Sequence, residues 1–119
     1  MHTDEAPKPL GPNSQAVKSG GFVFVAGQPP FDPKTGEVVD TTIQEQTAQC
    51  LKNVTAILQA AESSLEKAVS ATFILAGPDD FGGMNEEWAN WFPSEGPARQ
   101  ASRLPGTAFK ISVALVAEA

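Results

Sequence analysis

The chain has 119 residues, enough for one domain with a real core and too few for two. Hydrophobic residues make up 41% and charged residues 18%, a globular balance that excludes a disordered chain. Fourteen acidic against eight basic side chains leave a formal charge of −6, with lysines and arginines scattered singly, which disfavours nucleic-acid binding.

The first segment, MHTDEAPKPLGPNS, carries three prolines and several polar residues, so residues 1–10 are expected as a flexible arm ahead of a single domain over 11–119. It lacks the basic start and apolar run of a signal peptide, and no stretch approaches a membrane span, so the cytosol is the expected address. Residues 15–19 and 22–26 alternate as two strands, with Gly20-Gly21 supplying the positive φ angles of a two-residue hairpin turn. In PFDPKTGEVV, Pro33 suits the second position of a type I turn and Gly36 its left-handed exit.

Thr42 and Glu45 form an S/T-x-x-E capping box for a helix over about 43–62. Leu51, Val54, Leu58, Ala61 and Leu65 repeat at helical spacing as one apolar stripe, with Gln46, Gln49, Lys52 and Gln59 outside it. Residues 68–76, AVSATFILA, read as a strand ended by Gly77-Pro78. A shorter helix follows over about 80–92, capped by Asp79 or Asp80, striped by Phe81, Met84, Trp88 and Trp91, and stopped by Pro93. A short strand near 98–102 and a final apolar strand within AFKISVALVAEA complete the chain.

The order β-β-(β)-α-β-α-β-β favours an α+β fold, one sheet with two helices packed on one face. The other face keeps enough apolar side chains to need a cover, and no helix is left to supply it, so self-association is expected. Cys50 is the lone cysteine, inside a helical pattern, and reads as a buried structural thiol. His2 is the lone histidine, on the arm, which removes a histidine-based triad or a multi-histidine metal site.

Several motifs stand together: GPNSQAVKSGGFVFVAGQPPFDPKTGE, IQEQTAQCLKNVTAILQAAESSLEKAV, DDFGGMNEEWANWFP and GPAR. In this order they resemble the RidA/YjgF reactive-intermediate deaminases, also called the L-PSP endoribonuclease family, over essentially the whole chain from Gly11. The resemblance implies a chorismate-mutase-like fold, a mixed sheet with two helices on one face, and a homotrimer whose sheets form an inner barrel. It implies three equivalent clefts between subunits, each binding a small carboxylate-bearing molecule. In active members, enamines or imines are hydrolysed there to 2-oxo acids and ammonia without metal or organic cofactor.

Carried over residue by residue, the resemblance makes Arg99 of P-A-R the carboxylate-binding catalytic residue. Gly27 supplies a cleft-lining backbone N–H, Asn85 is the asparagine of the D-F-x-x-x-N helix, and the Ala101 carbonyl helps to hold the water. Gly27 also reads as a strand bulge, Asn85 as a partner of a neighbouring loop, and Arg99 as a surface ion pair worth little. Trp88 is placed with the substrate-contacting residues, although its spacing from Met84 and Trp91 fits packing better.

Three positions depart from the pattern. Asn13 stands where the family has a tyrosine, Ala26 where it has a serine, and the glutamate of the last strand falls on Val113 or Ala114. Asn13 hydrogen-bonds but donates no proton at useful pH. The expected activity is therefore imine hydrolysis that is weak or altered in substrate preference. The alternative is a non-catalytic trimer that binds small carboxylates as a sensor or partner protein; the −6 charge opposes a ribonuclease.

Overall fold

The computed structural model describes residues 1–39, 42–106 and 108–119. The elements in chain order are β1 (Ala16–Ser19), β2 (Phe22–Gln28), α1 (Ile43–Ala60), β3 (Ala68–Leu75), α2 (Phe81–Trp91), β4 (Ala98–Arg103) and β5 (Ile111–Glu118). The five strands form one sheet in the order β1-β2-β5-β3-β4. All neighbours run antiparallel except β3 and β4, which are joined through α2 and run parallel. The expected α+β architecture is the one found.

The hairpin forms as its glycines dictate, with φ of +61° at Gly20 and +86° at Gly21. The bracketed third strand is reduced to one bridge between Phe31 and Val38. At the start of α1, Thr42 is extended and its Oγ1 accepts from the Glu45 N–H at 3.1 Å, so the expected cap is present. The cap expected at Asp79 or Asp80 is not. Pro78 starts a 3₁₀ turn over Pro78–Asp80, and Asp80 has a near-helical backbone (φ −89°, ψ −4°) without a side-chain capping bond. A cap needs an extended residue whose oxygen can turn back on the first amides.

One face of the sheet packs on both helices. Val23, Val25, Phe73, Val113 and Leu115 meet Leu51, Val54, Ile57 and Leu58 of α1 and Met84 and Trp88 of α2. Helix α1 is buried over a wider arc than its apolar stripe. Gln46, read as outside the stripe, is buried and its Oε1 accepts from the Lys110 N–H at 2.8 Å. Asn53 donates to the carbonyls of Pro29 and Phe31, and the Cys50 thiol lies 3.6 Å from the Ile111 carbonyl. These polar contacts tie the loop after β2 and the start of β5 to the helix.

The opposite face has no cover within the protomer. Phe22, Phe24 and Val17 are exposed, while Thr72, Ile74, Ser112, Ala114 and Val116 are half-buried. Among the described residues, no helix is long and apolar enough to cross a membrane.

Candidate functional site

Strand β4 pairs with β3 alone, so it forms a sheet edge, and all its residues are exposed. Arg99 sits opposite Ala71, whose side chain is buried under the helices, and so turns to the helical side. Its guanidinium carbon lies 5.1 Å from the Phe73 ring centre and 5.2 Å from that of Trp88. Its Nη1 donates to Oδ1 of Asn85 at 2.8 Å. Among the described residues no carboxylate pairs with it. The planar cation is oriented by two aromatic rings and one amide, and it keeps most of its N–H donors for another acceptor.

A second group of residues gathers around the end of β2. One extra residue between Val25 and Gln28 breaks the register with β5, and this bulge exposes Gly27. A cavity of about 190 Å³ opens there, lined by Asn13, Ala26, Gly27, Gln28 and the arm residues Pro7 to Gly11. Gln28 is buried, its Nε2 donates to the Ala26 carbonyl, and its Oε1 has no partner among the described residues. The arm residues reach this cavity because Gln15, itself buried, accepts from the Thr3 N–H at 2.7 Å and donates to the Pro7 carbonyl at 2.9 Å. Asn13 is exposed, and its amide donates to the Ser14 carbonyl at 3.2 Å.

The two groups do not meet in one protomer. Strands β5 and β3 separate β2 from β4, three strand spacings or roughly 14 Å. Arg99, Asn85 and Trp88 thus form one half of the expected constellation, while Asn13 and Gly27 belong to the other.

The family model for Endoribonuclease L-PSP matches residues 3–119. The chain belongs to the RidA/L-PSP family. A RutC family protein of Pyrococcus horikoshii is 52% identical over 88% of this chain and 86% of its own length. The mouse 2-iminobutanoate/2-iminopropanoate deaminase is 38% identical over 85% of this chain and 75% of its own. Among solved structures, RidA from a Psychrobacter species superposes with a TM-score of 0.94 at 31% identity, covering 100% of this chain and 98% of that one. E. coli TdcF with bound serine gives 0.93 at 30% identity, with 100% and 97% covered.

Within this RidA-family chain, Ala101 of β4 lies opposite Phe73 and borders an apolar depression that Leu75, Pro78 and Phe81 also line. The strand register separates the two candidate positions of the family glutamate. Val113 is fully buried under the helices opposite Phe73, whereas Ala114 lies on the open face opposite Thr72. The sequence did not point to Phe73, which lies under Arg99, or to Gln15, which holds the arm at the second cavity. Phe73 alternates with Ala71 and Leu75, which is a sign of a buried face. Its place under Arg99 depends on the β3–β4 pairing, which is not visible in either segment alone.

Proposed function

We propose that this chain is a RidA-like deaminase that hydrolyses 2-imino and 2-enamino acids to 2-oxo acids and ammonia in the cytosol. It works as a homotrimer, in clefts where Arg99, Asn85 and Trp88 of one copy face Asn13, Gly27 and the arm of the next. The observation that carries this reading is an arginine lying over the adjoining rings of Phe73 and Trp88, with no carboxylate partner among the described residues. The roughly 14 Å between the two halves favours a composite site. The uncovered face bearing Phe22 and Phe24 favours assembly of the same chain. Relatives named as deaminases and a structural neighbour holding serine, an amino acid with a carboxylate, support the ligand class.

Arg99 pairs its fork with the substrate carboxylate and fixes the C=N carbon beside the cleft. A water held near the Ala101 carbonyl adds to that carbon, and the π pair moves to nitrogen, which takes up a proton. The hydroxyl proton of the resulting carbinolamine passes through water to the nitrogen, the C–N bond breaks with its electron pair leaving on ammonia, and the oxygen lone pair closes the carbonyl. Neither group of residues offers a carboxylate, phenol or imidazole as general acid or base, help that is typically worth ~10²–10⁴-fold. Catalysis therefore rests on positioning and oriented dipoles, and it is slow relative to fully equipped family members.

The same absence favours a second reading, a trimer that binds 2-oxo acids without turning over imines. Generating imino acids with an amino-acid oxidase and following their disappearance separates the two. Loss faster than the spontaneous rate, abolished by Arg99→Ala, is expected. Tight 2-oxo acid binding with no acceleration assigns the binder.

A further inference from the structure

We infer that the cleft continues past Arg99 into an apolar subsite built by Leu75, Pro78, Phe81 and Ala101, which selects 2-imino acids with branched aliphatic or aromatic side chains. This inference rests on the reading of Arg99 as the carboxylate clamp. The subsite is a depression of about 430 Å³ at the β4 edge, with Ser102 and Arg103 at its polar rim. That volume lies in the range of small-molecule pockets, which are mostly apolar with a few polar groups.

Phe73 joins the two parts. One of its faces carries the Arg99 guanidinium at 5.1 Å, and its ring stacks on Phe81 with 6.2 Å between centres and 30° between planes. The clamp and the Phe81 ring are thus no farther apart than these two contacts laid end to end. Carboxylate pairing and the substrate backbone take up part of that span. In the proposed subsite an isobutyl or phenyl group offers more apolar surface to Phe81 and its neighbours than a methyl or ethyl group does.

Phe81 is 46% exposed, although Met84 and Trp88, which follow it on the same stripe of α2, are buried. Its place in the first turn of that helix, just after the Pro78–Asp80 turn, turns the ring outward over β4 instead of into the core. A large aromatic left open, and linked through Phe73 to the Arg99 clamp, presents an apolar wall to the side chain of a ligand held by that cation.

The test is calorimetric titration of the whole protein with pyruvate, 2-oxobutanoate, 4-methyl-2-oxopentanoate, phenylpyruvate and 2-oxoglutarate, stable counterparts of the imino acids. The two bulky apolar acids are expected to bind about tenfold or more tighter than pyruvate. Phe81→Ala should bring that ratio close to one, while Arg99→Lys should weaken the whole series together. If Phe81→Ala does not fold, Pro78→Asp at an exposed position carries the same test, since a carboxylate there repels the apolar group. Equal affinity across the series overturns the subsite and leaves the Arg99 reading intact. Tightest binding of 2-oxoglutarate reassigns the depression to Arg103 and also overturns it. No binding of any member overturns the subsite together with the reading on which it rests.

Discussion

In the proposed cleft, Arg99 is the family residue that is kept and Asn13 stands where the family tyrosine is lost. Arg99→Lys preserves the charge but loses the planar fork and its packing over Phe73 and Trp88, so affinity for 2-oxo acids should fall about tenfold or more while the melting temperature holds; titration and thermal unfolding of one preparation check both. The activity should change little between pH 6 and 8. The sole histidine is exposed on the arm beside Asp4, and burial pushes the Cys50 thiol well above its ordinary range, so it stays neutral throughout. A steep pH profile would mean that an acid or base has been overlooked. Restoring the family groups is position-sensitive. Ala114→Glu lands on the half-open sheet face and should fold, whereas Val113→Glu buries a carboxylate among Phe73 and the helices and should cost several kcal/mol. Combined with Asn13→Tyr, the glutamate at 114 should raise imine hydrolysis by more than the two single changes together; assays of the three proteins decide it.

Most of the elements were legible because their signals are local. The Thr42–Glu45 box, the 3–4 spacing of α1 and the glycine pair of the hairpin each act within a few residues. The strand order was not legible: β5 inserts between β2 and β3, and β4 runs parallel to β3, through contacts far apart in the chain. Gln46 shows the same limit, since a polar residue looks solvated until the amide it accepts from is known. The roles expected of Arg99 and Gly27 come from the family motifs in which they stand, whereas the place of Phe73 under Arg99 and of the arm beside Gly27 depends on the β3–β4 pairing and on the Gln15 contacts. Helix α2 allows a paired test of packing. A Cβ on Gly83 would lie 2.5 Å from Cγ2 of Ile43, while one on Gly82 meets nothing within 4 Å. Gly82→Ala should therefore stabilise by up to about 1 kcal/mol through helix propensity. At Gly83→Ala the same gain is outweighed by overpacking of about 1–3 kcal/mol against a buried β-branched side chain. Urea unfolding of both variants checks the opposite signs.

A composite cleft requires copies of the same chain to supply both of its halves. The uncovered face calls for self-association, and the proposed homotrimer predicts a particle three times the 12.5 kDa chain mass by light scattering; a monomer would remove the cleft altogether. The most direct test is complementation between two defective variants. Arg99→Ala removes the clamp, and Gly27→Leu fills the other half from a position where an added side chain meets open space. Each variant alone should bind no 2-oxobutanoate. Unfolded, mixed in equal amounts and refolded together, they should regain about a quarter of the wild-type sites, since a cleft is intact only where an Arg99-bearing copy faces a Gly27-bearing one. If the mixture binds no more ligand than either parent, the two halves do not form a shared cleft and the composite site is contradicted.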